Sequence, residues 1–138
     1  MTSRQISLVR QSWAIVGKLD PVDVGSLFYS RLMEVNPATR PLFRNPIPEQ
    51  SKKIIAMISF VIANLDNIED ILEDIRKLAR RHVGYGVQKE HYEQGGAALI
   101  WTLQKGLGEN WNEELEEAWT ACYATLANAM IEASEVEL

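Results

Sequence analysis

The sequence predicts an all-α protein whose helices cross steeply, and three observations carry that reading. Every segment with a clear apolar period repeats at three and four residues, and no stretch alternates as a half-buried strand does. Glycines also sit inside helical patterns, at Gly25 and at Gly95-Gly96. An interior glycine costs about 1 kcal/mol relative to alanine. Close helix crossings offset that cost, so an irregular sandwich is expected in place of a parallel bundle.

The elements follow in order. Ile6, Val9, Trp13 and Val16 recur at helical spacing behind a capping box of Thr2 and Gln5. Asp20 caps a second helix with Pro21 at its first position, and Asn36-Pro37 stops it. A short turn is expected through Pro41-Leu42-Phe43. After "NPIP", a helix from about Pro48 to Leu65 is expected to bury Ile54, Met57, Ile58 and Val61. Beyond "DN" comes the stripe Ile71, Ile75, Leu78, His82. The next helix starts near Lys89, buries Tyr92, Leu99 and Leu103, and ends at "KGLG", where glycine is a natural stop. Asn112 then caps an acidic first turn, "EELEE", suited to the positive end of a helix. Leu115, Trp119, Cys122, Leu126, Ala129 and Ala133 follow on one face.

A chain of 138 residues, 46% of them hydrophobic, suits one core, so a single domain over 1–138 is expected. No Pro/Gly/Ser-rich linker or repeat interrupts it. "MTSRQISLVRQSW" lacks the basic-then-apolar build of a signal peptide, and "IIAMISFVIA", broken by Ser59, is too short to span a bilayer. A cytoplasmic protein without a membrane partner is the expectation. Cys122 is the one cysteine; it cannot form an internal disulfide and reads as a buried, inert thiol. A net charge of -5 with no basic stripe argues against nucleic acid.

His82 closes an apolar stripe, four residues after Leu78 and seven after Ile75, so its ring points with theirs into the core. Taken alone, it reads either as a hydrogen-bonded core histidine or as a ligand. No second His, Cys or paired carboxylate is spaced to complete a zinc site, so a metal here must bring most of its own ligands. An iron porphyrin does so, asking the protein for one axial imidazole.

The segment "LARRHVGYGV" resembles the proximal-histidine segment of the globins, and the resemblance covers almost the whole chain. "RQSW" is similar to the first globin helix, "FYSRL" with "NPATRPLF" to the second helix and the corner bearing a near-universal phenylalanine, and "EEAWTACYATLANAM" to the last helix. The likeness is greatest to bacterial single-domain haemoglobins of the Vitreoscilla type, to the globin half of flavohaemoglobins and to neuroglobin. It implies a globin fold, a three-on-three sandwich of helices around haem b (iron protoporphyrin IX).

The resemblance makes His82 the iron ligand and Phe43 the ring against the haem face. Gln50 falls at the distal position, Ile54 one turn on beside the gas ligand, and Tyr29 where the second helix faces the iron's sixth site. Met57, Leu78 and Val87 join the cofactor-binding set, and Lys53 and Arg81 pair with the propionates. Without the resemblance, Phe43 and Tyr29 read as core rings, Gln50 as a solvated first-turn residue, and Lys53 and Arg81 as solvated cations. A phenol and an amide can both donate to the partly negative outer oxygen of bound dioxygen. Tight, slowly released oxygen is therefore expected, with less effect on carbon monoxide. Glutamine is a poor iron ligand, so the ferrous form without gas is expected to be five-coordinate.

Tyr92 matches the tyrosine that joins a glutamate in polarising the proximal histidine in the flavohaemoglobin pattern. The glutamate position holds Ser134 here. Glu132 lies about 200° and Glu135 about 100° around the helix from it, so the chain departs from that pattern and Tyr92 reads equally as a core ring. The expected function is reversible binding of O2, with CO and NO as further gas ligands, in a monomer or weak homo-oligomer. The alternative is nitric oxide dioxygenase activity, for which a separate reductase would have to serve a chain that stops after the globin unit.

Overall fold

The structure is a computed structural model that describes residues 1–43, 45–84 and 86–136, the last three by backbone alone. Its helices are α1 (Ser3–Val16), α2 (Pro21–Val35), α3 (Ile47–Ala63), α4 (Leu72–Gly84), α5 (Lys89–Leu107) and α6 (Glu113–Val136). Shorter 3-10 segments span Pro37–Leu42, Leu65–Ile71 and Gly108–Asn110. No strand occurs among the described residues.

The caps read from the sequence form. Thr2 Oγ1 accepts from Gln5 N–H while Gln5 Oε1 accepts from Thr2 N–H, both at 3.0 Å. Asp20 accepts from Val22 N–H at 2.8 Å, ahead of Pro21. Asn112 accepts from Leu115 N–H at 2.9 Å, and α5 ends against Gly108. Each cap satisfies a helix-end donor or stop that has no partner within its helix.

α2 packs on α3 and α5, while α6 packs on α1, α4 and α5. Val9, Trp13, Leu103, Leu107 and Trp119 are buried in the core. The Trp13 and Trp119 rings sit 5.7 Å apart, and their indole N–H groups donate to Ser59 Oγ and Ser12 Oγ, both at 2.9 Å. This supplies the polar partner that a buried indole needs. Cys122 is buried and its thiol is pushed up to about 11 by burial. It therefore stays a neutral thiol, as its apolar neighbours implied.

The interior glycines mark the crossings. A Cβ at Gly25 would lie 2.3 Å from Ser51 Cβ and 2.5 Å from Ser51 Cα, so α2 and α3 touch there backbone to backbone. At Gly95 and Gly96 it would meet the Tyr123 ring of α6.

Several boundaries differ from the sequence reading. The turn expected at Pro41-Leu42-Phe43 is a 3-10 helix over Pro37–Leu42, whose first turn is tied back by the buried Thr39, its hydroxyl donating to Asn36 O at 2.7 Å. α3 begins at Ile47 and ends at Ala63, and the chain to Ile71 is 3-10 with a break at Asn67. Hydrophobic spacing is blind to this because 3-10 and α periods diverge little over one turn. Ile58 and Val61 are buried as expected, but Ile54, Met57 and Tyr92 are half-buried. They wall a cavity instead of filling the core.

Candidate functional site

α4 brings His82 to that cavity on the same face as the buried Ile75 and Ala79. His82 Nδ1 lies 2.9 Å from Leu78 O, one turn back. A carbonyl only accepts, so Nδ1 carries the proton and the ring's lone pair sits on Nε2. Burial, aided by the Arg81 charge and opposed by the Leu78 bond, holds the His82 pKa below the ordinary imidazole value. The ring is therefore neutral in the neutral pH range. After α4, Gly86 takes φ 92°, a left-handed conformation that glycine adopts without strain. The chain turns back there, with Val87 N–H donating to His82 O at 3.0 Å, and Val87 joins the cavity wall.

The cavity measures about 130 Å³. Phe28 and Leu32 of α2, Ile54 and Met57 of α3, and Leu126 and Met130 of α6 make most of its surface apolar. Phe43 is set there by the 3-10 corner. Asn36 caps that corner through Ala38 N–H at 3.1 Å and ties it to α5 by donating to Gln94 Oε1 at 2.9 Å. The Phe43 ring stands edge-on to Tyr29, centroids 4.7 Å apart and planes at 71°, a favourable aromatic geometry.

Tyr29, also on the wall, is buried. Burial pushes its phenol up to about 12, against the neighbouring Gln50 amide, which lowers it. The proton stays on Oη throughout the neutral range. Gln50, half-buried in the first turn of α3, holds its own carbonyl Oε1 in a 2.8 Å bond from Asn45 Nδ2.

The structure thus brings Tyr29, Phe43, Ile54, Met57, His82, Val87 and Tyr92 to one cavity, while Gln50 does not line it and its side chain is held by Asn45. Leu78 and Arg81 lie on an adjoining groove between α3 and α4 that shares Met57. Lys53 is exposed and lies outside both. The Tyr92 ring runs nearly parallel to His82, centroids 6.4 Å apart and planes at 22°, and burial raises its phenol pKa. The side chains of Ser134 and Glu135, which bear on a proximal relay with Tyr92, lie outside the described residues.

Sequence reasoning missed Asn45 and His91. His91 also lines the cavity, but its Nδ1 accepts from Gln88 N–H at 2.9 Å. The neutral ring then carries its proton on Nε2 and has no lone pair left for a metal. The two histidines are opposite tautomers. No spacing rule separates them, because the choice is made by one backbone carbonyl and one backbone N–H.

Among the described residues no group of three or more His, Cys, Asp or Glu side chains gathers to hold a metal ion. The chain's donor set for this cavity is one Nδ1-protonated imidazole within apolar walls. That fits a planar, largely apolar group carrying a metal that already has most of its ligands, as an iron porphyrin does.

An all-α sandwich with such a cavity has the build of a helical haem protein. The family model described as Globin matches residues 26–130, and the chain belongs to the globin family, whose members bind haem. A Bordetella pertussis flavohemoprotein is 34% identical over 107 residues, which is 75% of this chain and 27% of that relative's length. Neuroglobin-1 of Oncorhynchus mykiss is 28% identical over 144 residues, covering 94% of this chain and 90% of the relative. A Rhodothermus marinus structure, described as an engineered carbene transferase and a proposed nitric oxide dioxygenase, superimposes with a TM-score of 0.87. It has 27% identity and covers 99% of this chain and 96% of that one. No helix among the described residues is long and apolar enough to cross a membrane.

Proposed function

We propose that this globin takes up haem b through His82 Nε2 and binds dioxygen reversibly in the cytoplasm, releasing it slowly. When bound, haem supplies an iron that takes up a diatomic gas. The observation that carries the proposal is the buried, protonated phenol of Tyr29 on the wall of the cavity that His82 also lines. Tyr29 keeps its proton at Oη and offers it to a partly negative gas ligand. Gln50 lacks an imidazole's affinity for iron and leaves the sixth site open. A hydrogen bond to a charged acceptor contributes about 1.5 to 3 kcal/mol, which corresponds to release slower by about tenfold to a hundredfold.

Stopped-flow measurement of oxygen release from the wild type and from Tyr29→Phe tests this. The variant is expected to release oxygen about tenfold to a hundredfold faster, with a smaller change for carbon monoxide, which carries less charge. Equal rates would mean that the phenol does not meet the ligand.

Nitric oxide dioxygenase activity is a second reading. It is favoured by the match along nearly the whole chain to the Rhodothermus marinus protein, for which that activity has been proposed. A separate reductase would then supply electrons. Sustained consumption of nitric oxide with a cellular reductant, beyond a single turnover, is the result that separates the two.

A further inference from the structure

His91 lines the same cavity as His82 and Tyr29. It stands in the first turn of α5, where its Nδ1 accepts from Gln88 N–H at 2.9 Å. An imidazole that accepts at Nδ1 carries its proton on Nε2, so the ring keeps one donor on the side away from Gln88. The residue is half-buried, which puts it where the cavity meets solvent. The other donors on this wall are engaged or deep. Thr39 donates to Asn36 O and Tyr123 to Tyr92 O, both at 2.7 Å, and His82 Nδ1 faces Leu78 O at 2.9 Å. Tyr29 is buried, and the Tyr92 ring stands beside His82, nearly parallel to it. The cations are elsewhere, since Lys53 lies off the cavity and Arg81 on the adjoining groove.

Haem b is apolar across its faces and carries a pair of carboxylates on one edge. Burying a carboxylate without a donor is strongly unfavourable, so that edge has to come to the rim of the cavity, where a donor and water both reach it. We infer that His91 holds this edge, with Nε2–H donating to a carboxylate of the bound haem. His91 thus takes the place that the globin resemblance gave to Lys53. Gln88 is part of the arrangement. Its N–H keeps Nδ1 in the accepting role, which fixes the proton on Nε2 and the ring in one orientation before the cofactor arrives. The inference rests on the proposal that the cavity takes haem through His82, and it gives the second histidine of the chain a hydrogen-bonding role that its tautomer allows and metal ligation does not.

His91→Glu and His91→Gln test it in protein loaded with haem b or with the dimethyl ester of haem b, in which both carboxylates are masked. Either replacement can accept from Gln88 N–H as a capping box requires. Only the amide can also donate to a carboxylate. Transfer of haem to an excess of a haem-scavenging apoprotein is expected to be about tenfold faster from His91→Glu than from the wild type, and within about twofold of the wild type from His91→Gln. The propionate bending band of the resonance Raman spectrum is expected to shift in His91→Glu and to stay in place in His91→Gln. With the dimethyl ester, wild type and variants are expected to release the cofactor at the same rate, because the bond in question is absent from all of them. If His91→Glu speeds release of the ester as much as that of haem, His91 acts through the cap or through packing and the inference is overturned. It is overturned equally if His91→Glu holds haem as the wild type does, with an unshifted band, or if His91→Gln loses haem as fast as His91→Glu. Wild-type protein that takes up neither haem nor its ester would instead overturn the functional proposal, and this inference with it.

Discussion

His82→Gly is expected to strip haem from the purified protein, and added imidazole to restore it. The substitution removes the one imidazole whose tautomer places a lone pair on Nε2, set by the 2.9 Å contact of Nδ1 with Leu78 O. His91 does not take over, because its Nδ1 is occupied by Gln88 N–H. Losing the orienting partner of a metal ligand already costs about tenfold to a hundredfold in affinity. Losing the ligand itself is expected to weaken haem retention by about a hundredfold or more. The measurement is the ratio of Soret to protein absorbance after gel filtration, with and without imidazole in the buffer. An unchanged ratio and spectrum in the variant would transfer the iron to another residue and undo the assignment of both faces of the cavity. Retention restored by imidazole separates loss of the ligand from loss of the fold.

The second large effect is expected at Gly25→Ala. The added methyl would come within 2.3 Å of Ser51 Cβ and 2.5 Å of Ser51 Cα. One of those atoms is backbone, so no rotamer change relieves the contact and α2 and α3 must move apart. Overpacking of this kind costs about 1 to 3 kcal/mol, a loss of roughly 3 to 10 °C in thermal midpoint for a chain of this size. Function is expected to move with stability. Tyr29 lies one turn beyond Gly25 on α2 and Gln50 is next to Ser51 on α3, so separating the helices moves the two distal side chains apart and oxygen release should quicken.

Ser51→Gly in the same chain is expected to recover part of the loss, because it removes the colliding Cβ and Oγ while the contact with Cα at 2.5 Å remains. On its own, Ser51→Gly sets about 1 kcal/mol for an interior helix glycine against removal of a buried hydroxyl with no hydrogen-bond partner. Its effect should be small. Thermal midpoints of the four proteins form a double-mutant cycle. Additive losses in that cycle would show that the crossing is not as tight as these distances imply.

Local order along the chain was legible because it is set by near neighbours. Thr2 with Gln5, Asp20 with Pro21 and Asn112 with its acidic turn cap helices through atoms two or three residues apart, and all three caps form as read. The stripe ending in His82 required only a period, and the interior glycines announced close crossings without naming what they approach. The likeness to globins then carried roles onto Tyr29, Phe43, Gln50 and His82, and the family match over residues 26–130 bears out the fold they presuppose.

What a period cannot carry is the identity of a partner far along the chain or the direction of a hydrogen bond. Gly25 meets Ser51 across an intervening corner, and Ile54, Met57 and Tyr92 share the apolar spacing of core residues while lining a cavity. His82 and His91 are the same residue type and differ in which backbone group reaches Nδ1. Asn45, a loop residue with no periodic mark, donates its Nδ2–H to the Gln50 carbonyl, a contact no spacing rule marks. The sequence by itself determined the helices, the caps at Thr2, Asp20 and Asn112 and the face that carries His82, because these depend on covalent neighbours and on the pitch of one helix. Tertiary structure alone decided which walls enclose the cavity and which way its donors point, because burial and hydrogen-bond polarity are properties of groups that meet only after the chain has closed.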